Sequence, residues 1–112
     1  MLIGNIGNKK NEIMGWVGLR MLEKQIERYF CSKVKRLGGL AVKLSPAGTA
    51  GMPDRLVLLP GRRIAFVEFK APGKKLQLIQ QKRINELQKL GFKAICIDSH
   101  RKADVFLEAV FK

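Results

Sequence analysis

Glu68 stands in the segment Arg63-Ile-Ala-Phe-Val-Glu-Phe69, whose β-branched and aromatic residues read as a strand. Side chains alternate along a strand, so Phe66, Glu68 and Lys70 share one face while Val67 and Phe69 share the other. A carboxylate flanked by apolar residues in a sheet interior is unfavourable without partners, and Lys70 is placed to be one. Asp54 opens the preceding strand, directly after Gly51-Met52-Pro53. The two strands are joined by Pro60-Gly61, which suits the centre of a type II turn and hence a hairpin. Pairing Leu59 with Arg62 across that turn sets Asp54 opposite Val67, one residue from Glu68 and on the other face. A one-residue shift or a bulge brings the two acids together. Two carboxylates from adjacent strands, with a backbone carbonyl, make a hard oxygen site suited to Mg2+. A lysine beside such a site can orient a water and offset charge on a phosphate under attack. The simpler assignment for the same residues is a strand-face ion pair between Glu68 and Lys70, with Asp54 only a turn residue.

The charge balance supplies the substrate class. Lys and Arg total 22 against nine Asp and Glu, a net charge of +13 and a pI near 10.3 in 112 residues. Such an excess repels itself unless a polyanion neutralises it, so nucleic acid is the first partner to consider. Lys43, Arg55, Lys74, Lys75, Lys82 and Arg83 are the candidate phosphate contacts, and residues 70–93 hold seven Lys or Arg against one acid, Glu86. Trp16, Tyr29 and the six Phe do not interleave with basic residues, which argues against a base-stacking platform. One histidine, His100, and two distant cysteines, Cys31 and Cys96, exclude a zinc site by number and spacing. Both cysteines read as buried thiols of a reducing compartment. No stretch approaches the roughly 18 apolar residues of a membrane span, and Gly4-Asn5 interrupts the start where a signal peptide needs an apolar run. A cytoplasmic protein of a single domain is expected.

These residues need elements to carry them. Residues 1–19 are rich in Gly and Asn and read as an arm or short irregular cap ahead of a domain over 20–112. From about Arg20 to Leu37 apolar residues recur at Leu22, Ile26, Phe30 and Val34, a helix closed by Gly38-Gly39. Strands follow at Leu40–Leu44, 54–59 and 63–69, the first two separated by a loop at 45–53 set by small residues and two prolines. A second helix is expected from about Leu76 to Leu90, a strand over 93–97, and a last helix from about Lys102 to Phe111, with Asp98-Ser99 as its N-cap. The order α-β-β-β-α-β-α describes an α/β domain, a mixed sheet flanked by helices. Gln80 lies four before Ile84 and seven before Leu87, on the face that packs against the sheet, where a polar group needs partners.

Gly51-Met52-Pro53-Asp54, thirteen intervening residues, then Glu68-Phe69-Lys70 resembles the PD-(D/E)XK nuclease motif. The fuller string is similar to its VRR-NUC branch, the virus-type replication-repair nucleases. It runs from Gly51-Met52-Pro53-Asp54-Arg55 to Val67-Glu68-Phe69-Lys70-Ala71-Pro72-Gly73, then Leu76-x-x-x-Gln80 and Leu87-x-x-x-Gly91. The resemblance covers about residues 20–98 and departs at Gln77, where the family usually has Ser. It implies a restriction-endonuclease-like core and a Mg2+- or Mn2+-dependent DNA endonuclease, selective for branched or four-way DNA in replication, repair and recombination. Asp54, Glu68 and the Phe69 carbonyl would bind the metal, Lys70 would position the nucleophile and Gln80 would support it. An acid on the first helix would assist, Glu23 by motif position, with Glu27 one turn later as its competitor. A virus or phage origin is implied for so compact a member. Paired cleavage of a branched duplex calls for a homodimer, with Ile3, Ile6, Ile13, Met14, Trp16, Val17 and Leu19 of the arm as the apolar contact. The rival assignment is a non-catalytic basic nucleic-acid-binding protein, which would have no need of Asp54 and Glu68 facing a cationic groove.

Overall fold

The computed structural model describes residues 2–45 and 48–111, with side chains for residues 15, 17–45 and 48–110. The element order is α1 (Leu2–Arg36), β1 (Leu40–Lys43), β2 (Arg55–Leu59), β3 (Arg63–Phe69), α2 (Leu78–Lys89), β4 (Lys93–Ile97) and α3 (His100–Phe111). This is the α-β-β-β-α-β-α order of the sequence pattern, in one mixed sheet of strand order β1-β2-β3-β4. β1 and β3 run antiparallel to β2, whereas β4 runs parallel to β3 because α2 carries the chain back across the sheet. Among the described residues no helix is long and apolar enough to cross a membrane.

The alternation along the strands sorts the core into two layers. On one face Val57, Leu59, Ala65, Val67, Phe69 and Ile97 pack against Ile26, Phe30 and Val34 of α1 and Ala103, Leu107 and Val110 of α3. Tyr29 donates to Asp104 at 2.7 Å, and Lys33 pairs with the same carboxylate, so a polar clip joins α1 to α3 beside that core. On the other face Ile84 and Leu87 of α2 pack on Ala94, with Met52, Phe66 and Leu76 alongside. Phe66, Glu68 and Lys70 belong to the α2 face, as the alternation requires.

All three helix starts differ from the sequence expectation, α2 by two residues, at Leu78 rather than Leu76. α1 begins at Leu2, not near Arg20, so residues 2–19 are helix and not an irregular arm. Four glycines and three asparagines hide the apolar period there, yet each glycine costs a helix only about 1 kcal/mol. The side chains of Ile3, Ile6, Ile13, Met14 and Trp16 lie outside the described residues, whereas Val17 is exposed. α3 begins at His100, two residues early, with Ser99 as its cap: the hydroxyl accepts the Lys102 N–H at 3.0 Å.

Candidate active site

The hairpin that carries the two acids is one residue longer in its turn than the tightest pairing allows. Leu59 pairs with Arg63, not Arg62, leaving Pro60-Gly61-Arg62 as the turn. Gly61 (φ 81°) and Arg62 (φ 62°) are both left-handed, and this supplies the extra residue. The ladder then runs to Arg55 opposite Val67, so Asp54 falls in step with Glu68 and the acids share one face. The literal register, with the acids on opposite faces, is thus corrected by the single-residue shift.

Asp54 is more than a turn residue. Its Oδ2 accepts the Phe69 N–H at 2.9 Å, and its carbonyl accepts the Leu44 N–H at 2.9 Å, so it ties the start of β2 to both neighbouring strands. A residue's N–H and C=O point to the same strand edge, so the Phe69 carbonyl also faces the Asp54 side. Glu68 is only 4% exposed. Its Oε2 lies 3.5 Å from Lys70 Nζ and accepts Gln80 Nε2 at 3.2 Å. The simple ion pair is therefore present, but inside a larger polar set. Burial, then the Asp54 charge, push the Glu68 carboxyl up to about 7, and Lys70 offsets only part of this.

Gln80 is held at both ends. It is the third residue of α2, and its Oε1 accepts the N–H of Gln77, the N-cap residue, at 2.9 Å while its amide nitrogen points at Glu68. Gln77 is where the resemblance expects Ser, and the cap is made by Gln80 reaching back. On α1, Glu27 is taken up by Arg55, whose Nε donates to it at 2.9 Å. Glu23, three residues before Ile26 on the buried stripe, is the acid that lies near the site. Burial raises its pKa; Lys70 pulls it down, and Asp54 and Glu27 add to the rise.

A cleft of about 470 Å³ opens over this set, lined by Lys43, Leu44, Ser45, Thr49, residues 51–54, Glu68, Gln77, Ile79 and Gln80. Ser45 and Thr49 were not singled out in the sequence, where small residues in a Pro- and Gly-rich loop signal only a turn. Gly51 has φ 77°, and a Cβ there would sit 2.5 Å from the Ile79 carbonyl oxygen, so the loop rests directly on α2. Lys75 and Lys82 are exposed, as is Lys74. Arg55 and Arg83, expected at phosphates, are engaged within the protein. Arg55 Nη1 donates to the Ala41 carbonyl at 2.9 Å, and Arg83 donates to the Ala50 carbonyl at 3.0 Å and to Glu86 at 2.6 Å. The two thiols are free and half-buried rather than fully buried. Burial raises both, Cys96 to about 11 with Glu68 and Asp98 adding to the rise, which disfavours the thiolate.

Among the described residues no three His, Cys, Asp or Glu side chains gather closely enough to hold a metal by themselves. The donor set is the Asp54–Glu68 pair, with the Phe69 carbonyl and solvent to complete it. All are hard oxygens, and the mutual repulsion of the pair is what a divalent cation relieves, so the residues fit Mg2+ or Mn2+.

Comparison with known proteins identifies the family of this sequence and fold. The profile of the VRR-NUC domain matches residues 18–101. A protein of Acyrthosiphon pisum secondary endosymbiont phage 1, named "Putative nuclease p44", is 44% identical over 77 residues, 69% of this chain and 83% of that one. A solved structure titled "VRR_NUC domain" superposes with a TM-score of 0.73 at 33% identity, covering 78% of this chain and 95% of the other. A motif in the right order, a matching sheet and a profile spanning three quarters of the sequence converge: the chain belongs to the VRR-NUC family of nuclease domains.

Proposed function

We propose that the chain is a Mg2+- or Mn2+-dependent endonuclease that hydrolyses DNA phosphodiesters, selective for branched or four-way junction DNA. The observation that carries this reading is Glu68, a buried carboxylate set beside a second acid, a lysine and a glutamine at the floor of an open cleft. A structural ion pair needs no second acid raising the energy of the first. Asp54, Glu68 and the Phe69 carbonyl would hold the ion, with Glu23 assisting from α1. When bound, the ion supplies Lewis-acid polarisation of the phosphate and lowers the pKa of an attacking water. Lys70 offers a fixed positive charge next to Glu68 for the extra charge of the transition state. Gln80 fixes the Glu68 carboxylate, and Lys43 at the cleft wall, with Lys74, Lys75 and Lys82 outside it, neutralises the DNA backbone.

The test is cleavage of labelled linear, flap and four-way DNA with and without Mg2+ or Mn2+. Cutting only with metal, and faster on branched substrates, is expected. Tight binding with no cutting of any substrate would leave the basic binding protein as the correct assignment.

A further inference from the structure

α2 touches the support of both acids, and the contact to Asp54 runs through an arginine. Arg83 Nε donates to the Ala50 carbonyl at 3.0 Å, and its Nη1 is held by Glu86 Oε2 at 2.6 Å, so the guanidinium is fixed on two sides. Ala50 lies four residues before Asp54. Between them Gly51 rests on the Ile79 backbone, Met52 packs on the α2–β4 cluster, and Pro53 is fully buried. This stretch is packed along its length, so the hold on Ala50 adds to the strand contacts that place Asp54. One turn earlier on the same helix, Gln80 holds Glu68.

We propose that Arg83 is a positioning residue that fixes the Asp54 loop against α2, and so steadies the spacing of the two acids that the hairpin register sets, rather than a phosphate contact. The proposal rests on the metal-site reading above. The Arg83–Ala50 hydrogen bond is exposed to solvent, so water replaces it at little cost to the fold. Its loss therefore loosens the ligand geometry more than it weakens the protein. Groups behind a metal's direct ligands act in this way, by orienting them.

The experiment measures Mn2+ affinity by calorimetry for the parent, Asp54→Ala, Arg83→Gln and Glu86→Ala. DNA affinity in EDTA, across a salt series, and the melting temperature are measured alongside. Arg83→Gln should bind Mn2+ about tenfold more weakly, and Glu86→Ala should shift affinity the same way, although it removes no positive charge. DNA affinity in EDTA and its salt slope should stay at the parent's values for Arg83→Gln. A purely structural arginine would lower the melting temperature and leave the Mn2+ affinity of the folded protein unchanged. A phosphate contact would leave Mn2+ affinity unchanged and reduce the salt slope by about 1. Either result overturns the proposal. If Arg83→Gln fails to fold, Glu86→Ala decides by the same comparison. A parent that does not bind Mn2+, or an Asp54→Ala variant that binds it equally well, overturns the metal-site reading itself and the proposal with it. Parent-like Mn2+ affinity in Arg83→Gln, with Asp54→Ala defective, overturns the positioning role alone.

Discussion

A carboxyl group in Glu68's surroundings resists ionisation, because burial and Asp54 both penalise the anion and Lys70 compensates only in part. In EDTA the folded chain then holds a proton on Glu68 that the unfolded chain has already lost between about pH 4.5 and 7. Stability must fall as pH rises through that window, by roughly 3 kcal/mol in all. Glu68→Gln should remove this fall. Melts of parent and variant at a series of pH values check it, and parallel profiles would show that Glu68 ionises normally. With metal present, Glu68→Ala should abolish cleavage and leave DNA affinity nearly intact, since the backbone contacts proposed above are lysines. Lys70→Ala should slow cleavage by about 100-fold or more through loss of transition-state charge stabilisation. A Glu68→Ala protein that cuts at the parent rate would remove the acid pair from the active site. The shared face of Glu68 and Lys70, and the inward position of Gln80, were legible in the sequence because period 2 and period 3.6 decide which way a side chain points. The partners of Arg55 and Arg83 were not. A charge pattern shows how many cations there are, and only the packed chain shows that Glu27 and the Ala41 and Ala50 carbonyls reach two of them first.

The hairpin sets the relation of the two acids, and it does so through backbone dihedrals at its far end. Arg62 adopts φ 62° without the freedom of a glycine, at a cost that Arg62→Gly would relieve. After the glycine's larger entropy in the unfolded chain, a net gain of about 0.5 kcal/mol is expected. That corresponds to a rise in melting temperature of about 2–4 °C. Cleavage should be unchanged, since the register is unchanged, and a drop in melting temperature would show that the Arg62 side chain does more than occupy the turn. Turn length was the part of the site that spacing could not reveal. Pro60-Gly61 announces a reversal, but nothing in the residue types says that Arg62 joins it. The start of α1 was missed for a related reason: glycines and asparagines weaken a helix only mildly, and a helix continuous with a packed segment tolerates them.

At the scale of the whole molecule, α1 is the longest element. It has 35 residues, about 52 Å of helix, and among those with described side chains the fully buried ones begin at Ile26. Val17, Met21 and Leu22 are exposed along the remainder. A two-fold homodimer joined through this segment is the assembly we propose, and light scattering on the full chain and on one beginning at Met21 tests it. A dimeric full chain and a monomeric shortened one are expected; a monomer at micromolar concentration in both refutes it. The net charge makes a separate prediction. If Lys43, Lys74, Lys75 and Lys82 each meet a phosphate, the log–log dependence of DNA affinity on salt should have a slope of about −3 to −4. A flat response would detach the +13 from DNA. Finally, the sheet is completed from its far end. The Lys70 N–H is bonded to the Ile97 carbonyl at 3.1 Å, and β3 acquires its second neighbour only when β4 has been made and α2 has folded back. During synthesis Asp54, Glu68 and Lys70 leave the ribosome well before that strand. A chain ending ahead of Ile97 thus carries Asp54, Glu68 and Lys70 but leaves one edge of β3 without its strand partner.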